Sequence, residues 1–137
     1  MHEQWFDRTA AEDLDGLLEH IEPDFLSYEH AGPLQHTGID DVREVRRCGL
    51  ESSPGRIDSG IPDLTVHVNG DLAVTWGLDR SFADGVGSRS RGTGVFERRN
   101  GQWQMVHQHL SIPATGQCSG GGAAATGGPP APPCRGR

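Results

Sequence analysis

The sequence predicts an α+β fold: helices first, then a long antiparallel meander, with the helices on one face of a curved sheet. Helical apolar spacing is confined to the first fifty residues, and alternating apolar runs fill most of 56–113. The pairs Asn69-Gly70, Asp84-Gly85 and Asn100-Gly101 punctuate those runs as tight hairpin turns.

Residues His2 to Ala11, with Trp5 and Phe6, read as the end of an amphipathic helix. Asp13 caps a second helix, in which Leu14, Leu17, Leu18 and Ile21 fall at i, i+3, i+4 and i+7. Gly16 weakens it by about 1 kcal/mol relative to Ala, and Pro23 marks its end. Phe25 to His30 is a short strand with Phe25, Ser27 and Glu29 on one face and Leu26, Tyr28 and His30 on the other. A loop spans Ala31 to His36. Thr37 followed by Asp40 resembles a capping box and opens a third helix through Ile39, Val42 and Val45 to about Leu50. Glu51 to Gly55 is turn-rich. From Arg56 to Val68 the chain is extended, with a bend at Gly60-Ile61-Pro62, and strands over Leu72–Phe82 and Ser88–Arg98 follow. The last hairpin is the clearest. Beyond Asn100-Gly101, strict alternation puts Trp103, Met105, His107, His109 and Ser111 on one face, and Gln104, Val106, Gln108, Leu110 and Ile112 on the other. Both faces carry apolar residues, which predicts a strand inside the sheet, closed by Pro113.

One domain accounts for the 137 residues. Residues 114–137 contain seven Gly, four Pro and no large apolar side chain. Such a segment buries too little to offset its ordering entropy, so the expectation is a folded domain over 1–113 and a disordered Gly/Pro/Ala-rich tail over 114–137. The chain carries −7; the tail holds two Arg and no acid, so the body carries −9. An acidic body lacks the basic stripe that a nucleic-acid partner requires. Cys48, Cys118 and Cys134 are too few and too scattered for a disulfide framework or a cysteine-based zinc site. No apolar run reaches membrane-span length and no signal peptide opens the chain, so the expectation is a cytoplasmic protein with reduced thiols.

Three stretches resemble a known family. They are Glu12-Asp13-Leu14-Asp15-Gly16-Leu17-Leu18 with Glu22-Pro23-Asp24-Phe25; Gly38-Ile39; and Arg91-Gly92-Thr93-Gly94-Val95-Phe96 with Gly101, Trp103, His107, His109 and Ser111. Over residues 5–113 the chain is similar to the nuclear transport factor 2-like superfamily, in particular SnoaL-like and ketosteroid isomerase-like proteins. The last stretch is also similar to the association domain of calcium/calmodulin-dependent protein kinase. The resemblance implies a cone-shaped, strongly bent antiparallel sheet packed on about three N-terminal helices, with an apolar pocket at the open end. It also implies a homodimer formed through the outer sheet face. Relatives carry about three turns of helix before the position of Trp5, whereas four residues precede it here. Either the natural start lies upstream or the pocket is less closed.

The resemblance places Glu29 where ketosteroid isomerase has its general base, on the first strand and facing the cone. A carboxylate in an apolar cavity can take a proton from carbon next to a carbonyl. The alternative is a partly solvated Glu paired with an Arg such as Arg80. The isomerase pattern also needs a Tyr on the first helix and a protonated Asp on a late strand. Trp5 and Gly92 stand at those places, so steroid isomerisation itself is not implied. Ser27, Trp76, Phe96, Val106 and Leu110 are expected to line the pocket beside Trp5, with Arg80 and Gln108 near its mouth. His107 and His109 share a strand face at i, i+2, but no third ligand joins them in sequence, so no metal is expected. The resemblance turns them outward with Arg91, toward the dimer face. The functional expectation is therefore a domain with a pocket for a small hydrophobic molecule. It is either a cofactor-independent isomerase, cyclase or hydratase, or a non-catalytic ligand-binding or dimerisation module.

Overall fold

The computed structural model describes residues 7, 11, 13–30, 32–52, 57–83 and 86–113. The expected helix over 2–11, Trp5 with it, lies outside the described residues apart from Asp7 and Ala11, and so does the tail over 114–137. Among the described residues two helices, α1 (Leu14–Leu18) and α2 (Ile39–Ser52), accompany seven strands: β1 (Ile21–Tyr28), β2 (His36–Thr37), β3 (Ile57–Gly60), β4 (Thr65–Asn69), β5 (Leu72–Ala83), β6 (Val86–Arg99) and β7 (Gln102–Ser111). They form one curved, open sheet in the order β2-β1-β7-β6-β5-β3, with β4 also on β5. All pairs are antiparallel except β1 with β7, which run parallel. Parallel pairing is open to them because the whole of the intervening chain serves as the crossover.

The turns follow local chemistry. Asn100 and Gly101 both take positive φ, as a two-residue turn between paired Arg99 and Gln102 requires. At the Asn69-Gly70 hairpin Asn69 still pairs with Leu72, so the turn is Gly70-Asp71, with Gly70 alone at positive φ; the expected Asp84-Gly85 turn lies outside the described residues.

The second helix is shorter than the apolar spacing suggests. Asp13 does cap it, accepting a hydrogen bond from the Gly16 N–H at 3.0 Å. The helix stops at Leu18, however, and Ile21 joins the sheet opposite Met105. Ile21 is buried in either arrangement, so spacing alone could not separate the two. Pro23 then falls within a strand, in the stretch between Ile21 and Leu26 where the β1–β7 register shifts. At the start of α2 the cap is displaced by one residue: Asp41, not Asp40, accepts the Thr37 N–H, at 3.1 Å. Gly38 N–H meanwhile donates to the Phe25 carbonyl and ties the helix start to β1.

The core lies between α1, α2 and the inner face of the sheet. Leu18, Ile21, Phe25, Val42, Ala73, Phe96 and Met105 form one buried cluster, with Leu14, Ile39 and Trp103 packed against it. Met105 belongs to it because β7 does not alternate strictly. Val95 pairs with His107 and Phe96 with Met105, so Val106 is an extra residue, a β-bulge. Before the bulge Trp103 and Met105 face inward; after it Gln108 and Leu110 do. His107 and His109 are thereby separated from Met105 and turned to the outer face.

Cys48 lies on α2, its Sγ 3.7 Å from Glu44 Oε1. The other two cysteines lie outside the described residues. No helix among the described residues is long and apolar enough to cross a membrane.

Candidate active site

The sheet register lays the inner face out in rows. Ser27 pairs with Gln108, Gln108 with Gly94, and Gly94 with Thr75. The next row holds Leu110, Gly92 and Gly77, and one step further along β5 comes Asp79, opposite Ser90. Glu29 follows directly on Tyr28, the last residue of β1, at the Leu110 end of the second row.

Glu29 is held, and nearly dry. Its side chain is 8% exposed. The hydroxyl of Ser27, fully buried, donates to Glu29 Oε1 at 2.5 Å. Arg46 reaches down from α2, with Nη2 3.7 Å from the same oxygen. The same guanidinium nitrogen donates to Gln108 Oε1 at 2.7 Å. Ser27, Glu29, Gln108 and Arg46 thus form one polar cluster, on the face of the sheet that also carries buried Leu110 and Phe96. Buried polar groups need such partners, because an unpaired one costs about 1–3 kcal/mol.

Asp79 also faces this interior. It lies on the side of β5 that carries buried Ala73 and Thr75. Burial pushes its carboxyl above the ordinary aspartate value; the charges of Arg46 and His30 oppose that, and the charge of Glu29 adds to it.

The floor between these groups is glycine. A Cβ on Gly92 would meet only Leu110 Cδ2 at 3.4 Å and the Gly77 carbonyl at 4.0 Å. At Gly77 the space is taken: a Cβ would stand 2.3 Å from Ile61 Cγ2, because the 61–64 loop lies directly on that backbone. Asp63 fixes the loop there by accepting the Leu78 N–H at 2.8 Å.

Of the residues expected at the pocket, Ser27, Glu29, Gln108, Leu110 and Phe96 are brought to the inner face. Val106 occupies the bulge, half-buried. Trp76 and Arg80 are corrections, since both lie on the outer side of β5. Trp76 is 42% exposed, beside the His67 ring at 4.9 Å, in the alternation phase that carries Leu78 and Phe82. Strand geometry forces this: if Thr75 and Asp79 face in, Trp76 and Arg80 face out. Glu29 therefore meets Arg46, not Arg80. Arg91, His107 and His109 are on the outer face too, with His107 Nδ1 donating to the Leu26 carbonyl at 2.8 Å and Tyr28 edge-on to both imidazoles. Among the described residues no three His, Cys, Asp or Glu side chains gather as a metal-ligand group.

Two site residues escape the sequence reading, and each leaves a signal. Ile39, Val42 and Arg46 share one helix face at i, i+3 and i+7, so a charge interrupts the apolar stripe of α2. Asp79 continues the inward series Ala73, Thr75, Gly77 along β5.

With this geometry in place, likeness to known proteins can be weighed. The SnoaL-like domain family matches residues 1–115. The chain belongs to that family. Among solved structures it is similar to a nuclear transport factor 2-like protein of unknown function from Pseudomonas putida KT2440, at 26% identity and TM-score 0.75 over 81% of this chain and 80% of that one. It is also similar to a candidate calcium/calmodulin-dependent protein kinase II association domain from Xanthomonas campestris, at 19% identity and TM-score 0.71, covering 82% and 83% of the two chains. A third is a candidate dehydratase of the nuclear transport factor 2-like family from Streptomyces avermitilis, at 20% identity and TM-score 0.69, covering 80% and 88%. No curated protein matches the chain. The SnoaL-like assignment and the α+β architecture with a curved open sheet thus agree with the sequence reading.

Proposed function

We propose that this SnoaL-like domain takes a small hydrophobic molecule between the inner face of its sheet and α2, and moves a proton on it with Glu29 as general base. The reaction would be of the isomerase, cyclase or hydratase kind, with no organic cofactor needed. The observation that carries this reading is the nearly dry carboxylate of Glu29, gripped through Oε1 by Ser27 and Arg46. Both contacts engage one oxygen, which leaves Oε2 to receive a proton. A fixed carboxylate beside an apolar wall is suited to abstracting a proton from carbon. The likeness to a candidate dehydratase supports the reaction class.

The test is Glu29→Gln after a thermal-shift screen of small apolar ketones and alcohols has identified a ligand that is converted. Turnover is expected to fall by ~10²-fold or more, the usual scale of acid–base catalysis, while binding persists. Unchanged turnover would make Glu29 a structural residue.

A second reading has its own observation. Trp76, Leu78 and Phe82 line up on the exposed outer side of β5, with Tyr28 further along the same face. Contiguous exposed apolar surface marks an interaction site, and we propose a homodimer formed through it. This surface serves equally a non-catalytic module of the same fold.

A further inference from the structure

We propose that Asp79 is the proton donor of this site, so that Glu29 and Asp79 work as a pair: one takes a proton from carbon while the other gives one to the substrate's oxygen. This rests on the reading of Glu29 as the base and extends it to the substrate class. The molecule must lose a proton from carbon and gain one on oxygen within the same reaction, as in an elimination of water or an enolisation. A hydride or acyl transfer does not fit.

The geometry that points to this is the layout of the inner face. Glu29 lies at the β1 end of the Leu110–Gly92–Gly77 row, and Asp79 stands one row further along β5. Of the two strands between them, β7 contributes Leu110 and β6 contributes Gly92, where even a Cβ would reach Leu110 Cδ2 at 3.4 Å. A flat substrate resting on Gly92 would present one edge to each carboxyl. Arg46 sits over both acids but gives its short contacts to Glu29 and Gln108. One cation then faces two carboxyls and makes its short contact with Glu29. The groups that surround Asp79 are Arg46 from α2, Glu29 and His30 from the end of β1, and Ser90 across on β6. Asp63, from the loop on β5, is engaged by the Leu78 N–H. Burial and the Glu29 charge favour the protonated form of Asp79, against the pull of Arg46 and His30. A carboxyl that burial holds toward its protonated form, across the same face from a base, is the layout of an acid–base pair.

The balance can be written on a probe, 1,2-benzisoxazole. Glu29 takes the proton from C3, the C–H pair becomes the third C–N bond, and the N–O bond breaks with its electrons going to oxygen. Asp79 gives that oxygen its proton, and the product is 2-cyanophenol. With the 5-nitro derivative the leaving phenolate is stable enough to depart unprotonated. Asp79→Asn is therefore expected to slow the unsubstituted probe about 10–100-fold and the nitro probe less than threefold, within the usual range for a general acid. Glu29→Gln is expected to slow both about 100-fold or more. Loss of both probes in E29Q with equal effects, or none, in D79N would overturn the role of Asp79 and keep that of Glu29. Intact turnover in E29Q would overturn the base itself. The carboxyl titration of Asp79, read by carbon NMR on the full chain, decides even if neither probe reacts. Its midpoint is expected above that of an ordinary aspartate, moving down in E29Q. An ordinary midpoint indifferent to E29Q would refute the pairing.

Discussion

Glu29 and Asp79 are both acidic, yet their neighbours ask different things of them. Glu29 is matched by a hydroxyl and a guanidinium; Asp79 is buried with less compensation. The consequence for stability has a definite sign. A carboxyl whose folded pKa is raised favours folding only while it is protonated, so its contribution is full below the unfolded value and is lost as pH rises through the folded one. Asp79→Asn, which stays neutral, is therefore expected to raise the melting temperature relative to the parent at pH 7–8. The gain should vanish below about pH 4, where an unfolded aspartate is protonated as well. Paired thermal melts at the two pH values check this. Phe96 is a contrasting residue, 2% exposed and packed in the central cluster. Phe96→Ala should cost about 3–5 kcal/mol in denaturant unfolding, the range for emptying an aromatic site in a core.

At the scale of elements, the bulge at Val106 decides which way each half of β7 faces. Deleting Val106 would remove the extra residue and leave a regularly alternating strand in which Met105 still faces the core and Gln108 and Leu110 still face the inner side. The deletion variant is therefore expected to keep both its stability and the Arg46–Gln108 contact, readable from unfolding curves and from the Arg46 guanidinium signals by NMR. Loss of either would show that the bulge itself is needed to place β7. The same bulge marks the limit of what the sequence discloses. The hairpins, the helix through Ile39 and Val42 and the inward face of Phe25, Ser27 and Glu29 are legible, because each is written in local chemistry over a few residues. The bulge is not, since an extra residue in one strand shows only against its partner. Trp76 and Arg80 illustrate a related gap: β5 clearly alternates, but which phase faces inward depends on what packs against it. Arg46 and Asp79 were missed because their significance lies in convergence from distant elements.

For the whole molecule, the outer sheet face makes an expectation. Leu78→Asp would put a charge in the centre of the exposed apolar row on β5. It is expected to convert the proposed dimer to a monomer in light scattering while the circular dichroism stays unchanged. A parent protein that is already monomeric at high concentration would remove the dimer.

The parallel pairing of β1 with β7 also bears on biosynthesis. His107 meets the Leu26 carbonyl across 81 positions of sequence, so strand β1 leaves the ribosome long before its neighbour exists. At roughly 5–20 residues per second it waits for several seconds with an open edge. During that interval Glu29 has no Gln108–Arg46 bridge beside it. A nascent chain halted before residue 102 would hold a half-built sheet and no working site, which makes β7 the closing step of assembly.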